Sequence, residues 1–166
     1  MELLNTVLES STKKVVSSRD ELIKIISSCP KNADLNYLDV SNVRDMSWLF
    51  SSTNFTGDIS NWDVSNVENM FGMFSDSSFN GDISNWNVEK VTSMENMFYN
   101  SEFNQDISNW NVENVKTMKE MFCNSEFNQN ISKWDLSSIE DMRDMFKYSP
   151  LEETVKIKRK LSLEFA

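Results

Sequence analysis

Phe79-Asn80-Gly81-Asp82-Ile83-Ser84-Asn85-Trp86-Asn87-Val88-Glu89-Lys90-Val91-Thr92-Ser93-Met94-Glu95-Asn96-Met97-Phe98 is written four times in this 166-residue chain, with drift only at some positions. Tryptophan recurs at 62, 86, 110 and 134 and phenylalanine at 55, 79, 103 and 127, each step being 24 residues. A fifth, worn copy at 31–54 keeps Asp34, Leu35, Leu38, Val40, Val43, Met46, Leu49 and Phe50 at the same offsets. A fixed period of roughly 20–29 residues marks stacked coils, in which each unit buries its apolar face only against its neighbours.

Each unit has two apolar blocks. Ile59-x-x-Trp62-x-Val64 ends in a period-two alternation, which predicts a short strand. Val67, Met70, Met73 and Phe74 follow at the spacing of one helix face, about two turns long. Ser65-x-x-Glu68 and Ser137-x-x-Glu140 match a capping box at its start, and Asn80-Gly81-Asp82 supplies the returning turn. The expected fold is therefore α/β: a leucine-rich-repeat-like solenoid of about five 24-residue coils. It has a parallel sheet on one face and short helices on the other. Residues 1–30 form an N-terminal capping segment, 31–150 the repeats and 151–166 a C-terminal cap or tail.

Stacking makes the repeats their own alignment, since positions that agree between copies should face inward. The methionines at 46, 70, 94, 118 and 142 and the phenylalanines at 50, 74, 98, 122 and 146 are expected to fill the core. The column Asp34, Asp58, Asp82, Asp106, Asn130 reads as Asx turns, with a calcium ladder as the sharper alternative.

Absences narrow the chemistry. The chain has no histidine, two distant cysteines (Cys29 and Cys123) and no phosphate-cradling glycine motif, so no catalytic, cofactor or metal residues are assigned. Residues 31–150 hold eight basic and nineteen acidic groups, against a net charge of −10 for the whole chain. That field disfavours direct contact with nucleic acid or membrane and suits a protein partner with a basic surface. No apolar run has bilayer-spanning length, and Met1–Thr6 resembles no secretion signal, so a complete chain is expected to be cytoplasmic.

The unit Phe79–Phe98 resembles the BspA-like leucine-rich repeats, also called the DUF285 or mycoplasma surface-protein repeat. Asp34–Val43 looks like that family's opening coil, and Ser18–Ile26 like the helix that precedes it. The resemblance covers about 14–150 and implies an interaction module without catalytic residues or cofactors, frequently on a cell surface.

The ends need covers. Ser18 and Glu21 form a capping box ahead of the Leu22, Ile25 and Ile26 stripe, and Leu3, Leu4, Val7 and Leu8 offer a second apolar face. Thr154–Lys158 alternates like a lysine-protected edge strand. The first candidate binding surface is the outer side of the predicted sheet, with Tyr37, Asn61, Asn85 and Asn109 in one column. Asp39, Asp63, Asn87 and Asn111 form the next, then Glu89 and Glu113. The second is an aromatic patch: Trp48 and Phe71 interrupt columns that are otherwise polar, and the N-terminal cap folding over them is the competing expectation. The expected function is non-catalytic protein binding. The alternatives are an acidic inhibitor of a nucleic-acid enzyme, of viral or mobile-element type, and a surface adhesin.

Overall fold

A computed structural model describes residues 13–152. The expected edge strand at Thr154–Lys158 and the apolar face of Leu3–Leu8 lie outside them. The fold is mixed α/β, with element order β1 (Lys14–Val15), α1 (Arg19–Ser28) and β2 (Leu38–Asp39).

Helix α1 begins where its sequence says. Ser18 is extended and its hydroxyl accepts the Glu21 N–H at 3.3 Å, while the Glu21 carboxylate reaches back to the Ser17 N–H at 3.3 Å. Its Leu22 and Ile26 are buried, with Ile25 packed at their edge. β1 runs parallel to β2 in the register Lys14 to Leu38, closed by Lys14 N–H to Tyr37 O at 2.9 Å and Val16 N–H to Asp39 O at 2.8 Å.

The predicted strand at Ile59–Val64 forms only in its first copy, as β2, where β1 supplies a partner. On this face successive copies are joined by indoles instead. Trp62, Trp86, Trp110 and Trp134 donate their Nε1–H to Leu35, Ile59, Ile83 and Ile107 at 2.9, 3.3, 3.1 and 3.1 Å. The same carbonyls also close tight turns within their own units, as in Trp62 N–H to Ile59 O at 3.1 Å. A continuous sheet on that face is thus replaced by tryptophan side-chain bonds.

The predicted helix at Val67–Phe74 is also absent. Its backbone pairs sideways: Asp45, Asn69, Ser93, Thr117 and Asp141 form a run of parallel bridges. Met70, Gly72, Phe74 and Asp76 donate N–H groups to Ser93, Glu95, Met97 and Tyr99 of the next unit at 2.8–3.0 Å. An α-helix needs those donors internally and needs negative φ throughout. Here Trp48, Gly72, Asn96, Glu120 and Asp144 have φ of 54–60°, and Ser52, Asp76, Asn100, Asn124 and Tyr148 have φ of 49–60°. The segment is a series of tight turns, such as Met73 N–H to Met70 O at 3.2 Å. Turns of four residues repeat the three-residue apolar spacing that a short helix also shows.

The inward columns fall as expected. Met46, Met70, Met94 and Met118 are fully buried, as are Phe50, Phe74, Phe98 and Phe122. Consecutive rings of the phenylalanine column stack at 5.3, 5.5, 5.6 and 5.9 Å, nearly parallel. A second ladder, Phe55, Phe79, Phe103 and Phe127, runs beside it at 6.2–6.4 Å. The last copy departs from the expectation: Met142 is 45% exposed and Phe146 only partly buried, because no described unit lies beyond them.

Candidate functional site

Three polar columns shape the outer surface, and each is built from a turn that its own side chain holds. The Oδ1 atoms of Asp34, Asp58, Asp82, Asp106 and Asn130 accept the N–H two residues on, at 2.8–3.0 Å. Asp39, Asp63, Asn87, Asn111 and Asp135 do the same at 2.9–3.2 Å. Asp45, Asn69 and Asp141 repeat it a third time at 2.8–3.0 Å. These are Asx turns, the first of the two readings the sequence allows for the aspartate column. Among the described residues no group of three or more acidic or cysteine side chains converges as a metal site.

The turns act on the carboxyls. The Ser60, Ser84 and Ser108 N–H groups, helped by the serine hydroxyls, hold Asp58, Asp82 and Asp106 below the ordinary carboxylate range. Repulsion from Asp58 is the smallest influence on Asp82, so the local bonds outweigh the stacking of like charges. The Arg143 guanidinium, then its N–H, lowers Asp141 to about 2. Depressed carboxyls stabilise the fold above the unfolded value near pH 4, and that stability is lost as pH falls through the folded value. Replacing Asp58, Asp82 and Asp106 with asparagine, which keeps the turns as Asn130 does, should flatten the fall of the urea midpoint between pH 4 and pH 2. An unchanged acid limb would show that these carboxylates take no part in it.

Of the sequence candidates, Tyr37, Asn61, Asn85 and Asn109 are exposed, with Tyr37 at 52%. Asn61 is tied to the preceding unit, its N–H donating to Asn36 Oδ1 at 2.8 Å. Asp63, Asn87 and Asn111 are exposed and Asp39 half-buried, each with one oxygen committed to its turn; Glu89 and Glu113 are exposed and supply the N–H groups bound by Asn87 and Asn111. Beyond Asp39, which lies in β2, this surface is a row of Asx turns rather than the outer side of a sheet. It presents the second oxygen or amide of each side chain at the repeat spacing.

Trp48 and Phe71 do meet. Their rings are edge to face with centroids 4.7 Å apart, Phe71 half-buried and Trp48 41% exposed. The Trp48 ring lies over Gly72, where a Cβ would come within 2.4 Å of Trp48 Cε3. The outcome lies between the two expectations for the patch. Helix α1 comes alongside, with Ile23 and Ile26 sharing a groove with Trp48, yet a face of the indole stays open. The pair is tied to the third polar column, because the Phe71 N–H donates to Asn69 Oδ1 at 3.0 Å. The sequence reading missed Arg19, whose Nε–H donates to the Ser47 carbonyl beside Trp48. Nothing in the repeat pattern marks it, because it lies outside the repeats.

Both cysteines are free, and burial raises each thiol above its usual value, which makes neither a ready nucleophile. Among the described residues no helix is long and apolar enough to cross a membrane. Residues 20–124 and 77–156 match the family described as "Mycoplasma protein of unknown function, DUF285". No curated protein and no solved structure matches the chain.

Proposed function

The chain belongs to the DUF285 family, and on that footing we propose that it is a non-catalytic protein-binding module. Its architecture in this reading is a leucine-rich-repeat-like solenoid of five coils, of the BspA-like kind. Parallel bridges and stacked rings recurring every 24 residues support it. The partner meets the exposed aromatic pair and the acidic Asx-turn columns.

One observation carries the proposal: a large indole, 41% exposed and braced edge to face by Phe71, stands open beside a column of Asx turns. Aromatic anchors ringed by polar groups are what protein interfaces use for most of their binding energy. The double variant Trp48→Ala, Phe71→Ser should lose most of its capture of a native partner in an affinity pull-down while its melting temperature changes little. A large drop in melting temperature, or undiminished capture, would remove the patch from the proposal.

A second reading is an acidic inhibitor that occupies the basic groove of a nucleic-acid enzyme, favoured by the net charge of −10. Capture lost between low and high salt supports it; salt-insensitive binding to a glycan or matrix protein points instead to an adhesin.

A further inference from the structure

Sixteen hydrogen bonds in four columns join successive units, and in every one the N–H belongs to the earlier unit and the carbonyl to the later. The column from Met46 runs Met46 to Asn69, Met70 to Ser93, Met94 to Thr117 and Met118 to Asp141, and those from Trp48, Phe50 and Ser52 repeat it. The two ends of this ladder therefore differ in kind. The last unit shows donors, with Glu152 accepting the Tyr148 N–H at 2.8 Å. The first shows acceptors: among the described residues the carbonyls of Asp45, Leu49 and Ser51 meet no donor, and that of Ser47 takes the Arg19 guanidinium. Like the last carbonyls of a helix, such a row is a locus of partial negative charge.

Leu49 and Ser51 line a groove of about 650 Å³ between α1 and the first unit, together with Ile23, Ile26, Trp48 and Phe55. An aromatic wall, carbonyl acceptors and a strongly acidic chain are complementary to one kind of group. We propose that this groove seats an arginine side chain of a basic protein partner. The inference rests on the protein-binding reading above and gives that partner its chemistry. A guanidinium stacks flat on an indole and offers several donors in one plane, which a row of carbonyls accepts; a lysine ammonium offers neither the plane nor the fork. Arg19 is the internal precedent, since the same row already binds one guanidinium. Lys31 also lines the groove and opposes the incoming charge.

The test is calorimetric titration of the whole chain at low salt with three short peptides alternating glycine with arginine, lysine or citrulline. The arginine peptide should bind about 5–10-fold more tightly than the lysine peptide of equal charge, and the neutral citrulline peptide should not bind measurably. Trp48→Ala should bring the two charged peptides to within about twofold of each other. Lys31→Glu should tighten the arginine peptide about threefold more than Lys116→Glu, an exposed change of equal charge elsewhere on the surface. Equal affinity for arginine and lysine, or indifference to both the Trp48 and Lys31 changes, overturns the site while leaving protein binding intact. Citrulline binding as tight as arginine shows an apolar occupant and overturns it too. No binding of either cationic peptide, with partner capture undiminished, overturns the basic partner.

Discussion

Trp110→Ala should lower the unfolding free energy by about 3–5 kcal/mol, the range for a buried ring removed from a packed interior. The indole is 4% exposed in the middle of the stack, with units on both sides. Its Nε1–H bonds to the Ile83 carbonyl at 3.1 Å, and that carbonyl also accepts the Trp86 N–H at 3.1 Å. Deleting the indole therefore orphans no acceptor, and the cost is the cavity and the lost apolar burial. Trp110→Phe separates the two contributions: it keeps most of the ring and loses the bond, for about 1 kcal/mol from the bond plus a smaller cavity cost. Trp134→Ala should cost less than Trp110→Ala, because Ile131, Leu136 and Ile139 around it are only partly buried at the open end. Urea unfolding of the three variants measures all of this, and a near-neutral Trp110→Ala would mean that the tryptophans do not carry the stack.

The repeat made burial legible before any coordinates. Agreement between copies marked Trp62, Val67, Met70, Met73 and Phe74 as interior, and all five are. What it did not reveal was backbone direction. Three-residue spacing is shared by a helix face and by consecutive tight turns, so hydrophobic period alone does not choose between them. The deciding signal lay in the polar columns. Gly72 and Asn96 in one, and Asp76, Asn100 and Asn124 in the other, are residue types that tolerate left-handed φ, and they recur where a two-turn helix would have to keep φ negative. Trp48, Ser52, Glu120 and Tyr148 in the same columns mask that signal, because propensity ranks them poorly there and the neighbouring units impose the conformation. The candidate surface was legible to the same depth. Apart from the half-buried Asp39 its columns are exposed, though on Asx turns and not on the expected sheet, and the groove beside Trp48 depends on where α1 settles, which belongs to no repeat.

Replacing Gly57 with glutamine brings in a residue that later copies already use, since the same offset holds Gly81, Gln105 and Gln129. Comparison of the copies alone says it should be tolerated. Geometry says the reverse. A Cβ at Gly57 would lie 2.0 Å from the Ala33 carbonyl oxygen, a backbone atom, and 2.6 Å from the Phe55 ring. That carbonyl accepts the Asp58 N–H at 3.0 Å, and beside it Leu35 N–H bonds to Asp58 O at 2.9 Å. These two bonds join the first unit to the second, so making room for a side chain forces them apart. Gly57→Gln should cost about 1–3 kcal/mol or more, with hydrogen-exchange protection lost first in α1 and the first unit. At Gly81 the nearest backbone oxygen, that of Gly57, is 3.5 Å away, and the close contacts are only with the Phe79 ring. Later units already solve that problem, Gln105 bonding to Asn80 Oδ1 at 3.1 Å and Gln129 to Asn104 Oδ1 at 3.0 Å. Gly81→Gln should therefore fall within about 0.5 kcal/mol of the parent. Equal stabilities for the two variants would show that the first unit is joined to the second in the same way as the later ones, whereas a large gap identifies Gly57 as the point where the capped end differs from the repeats.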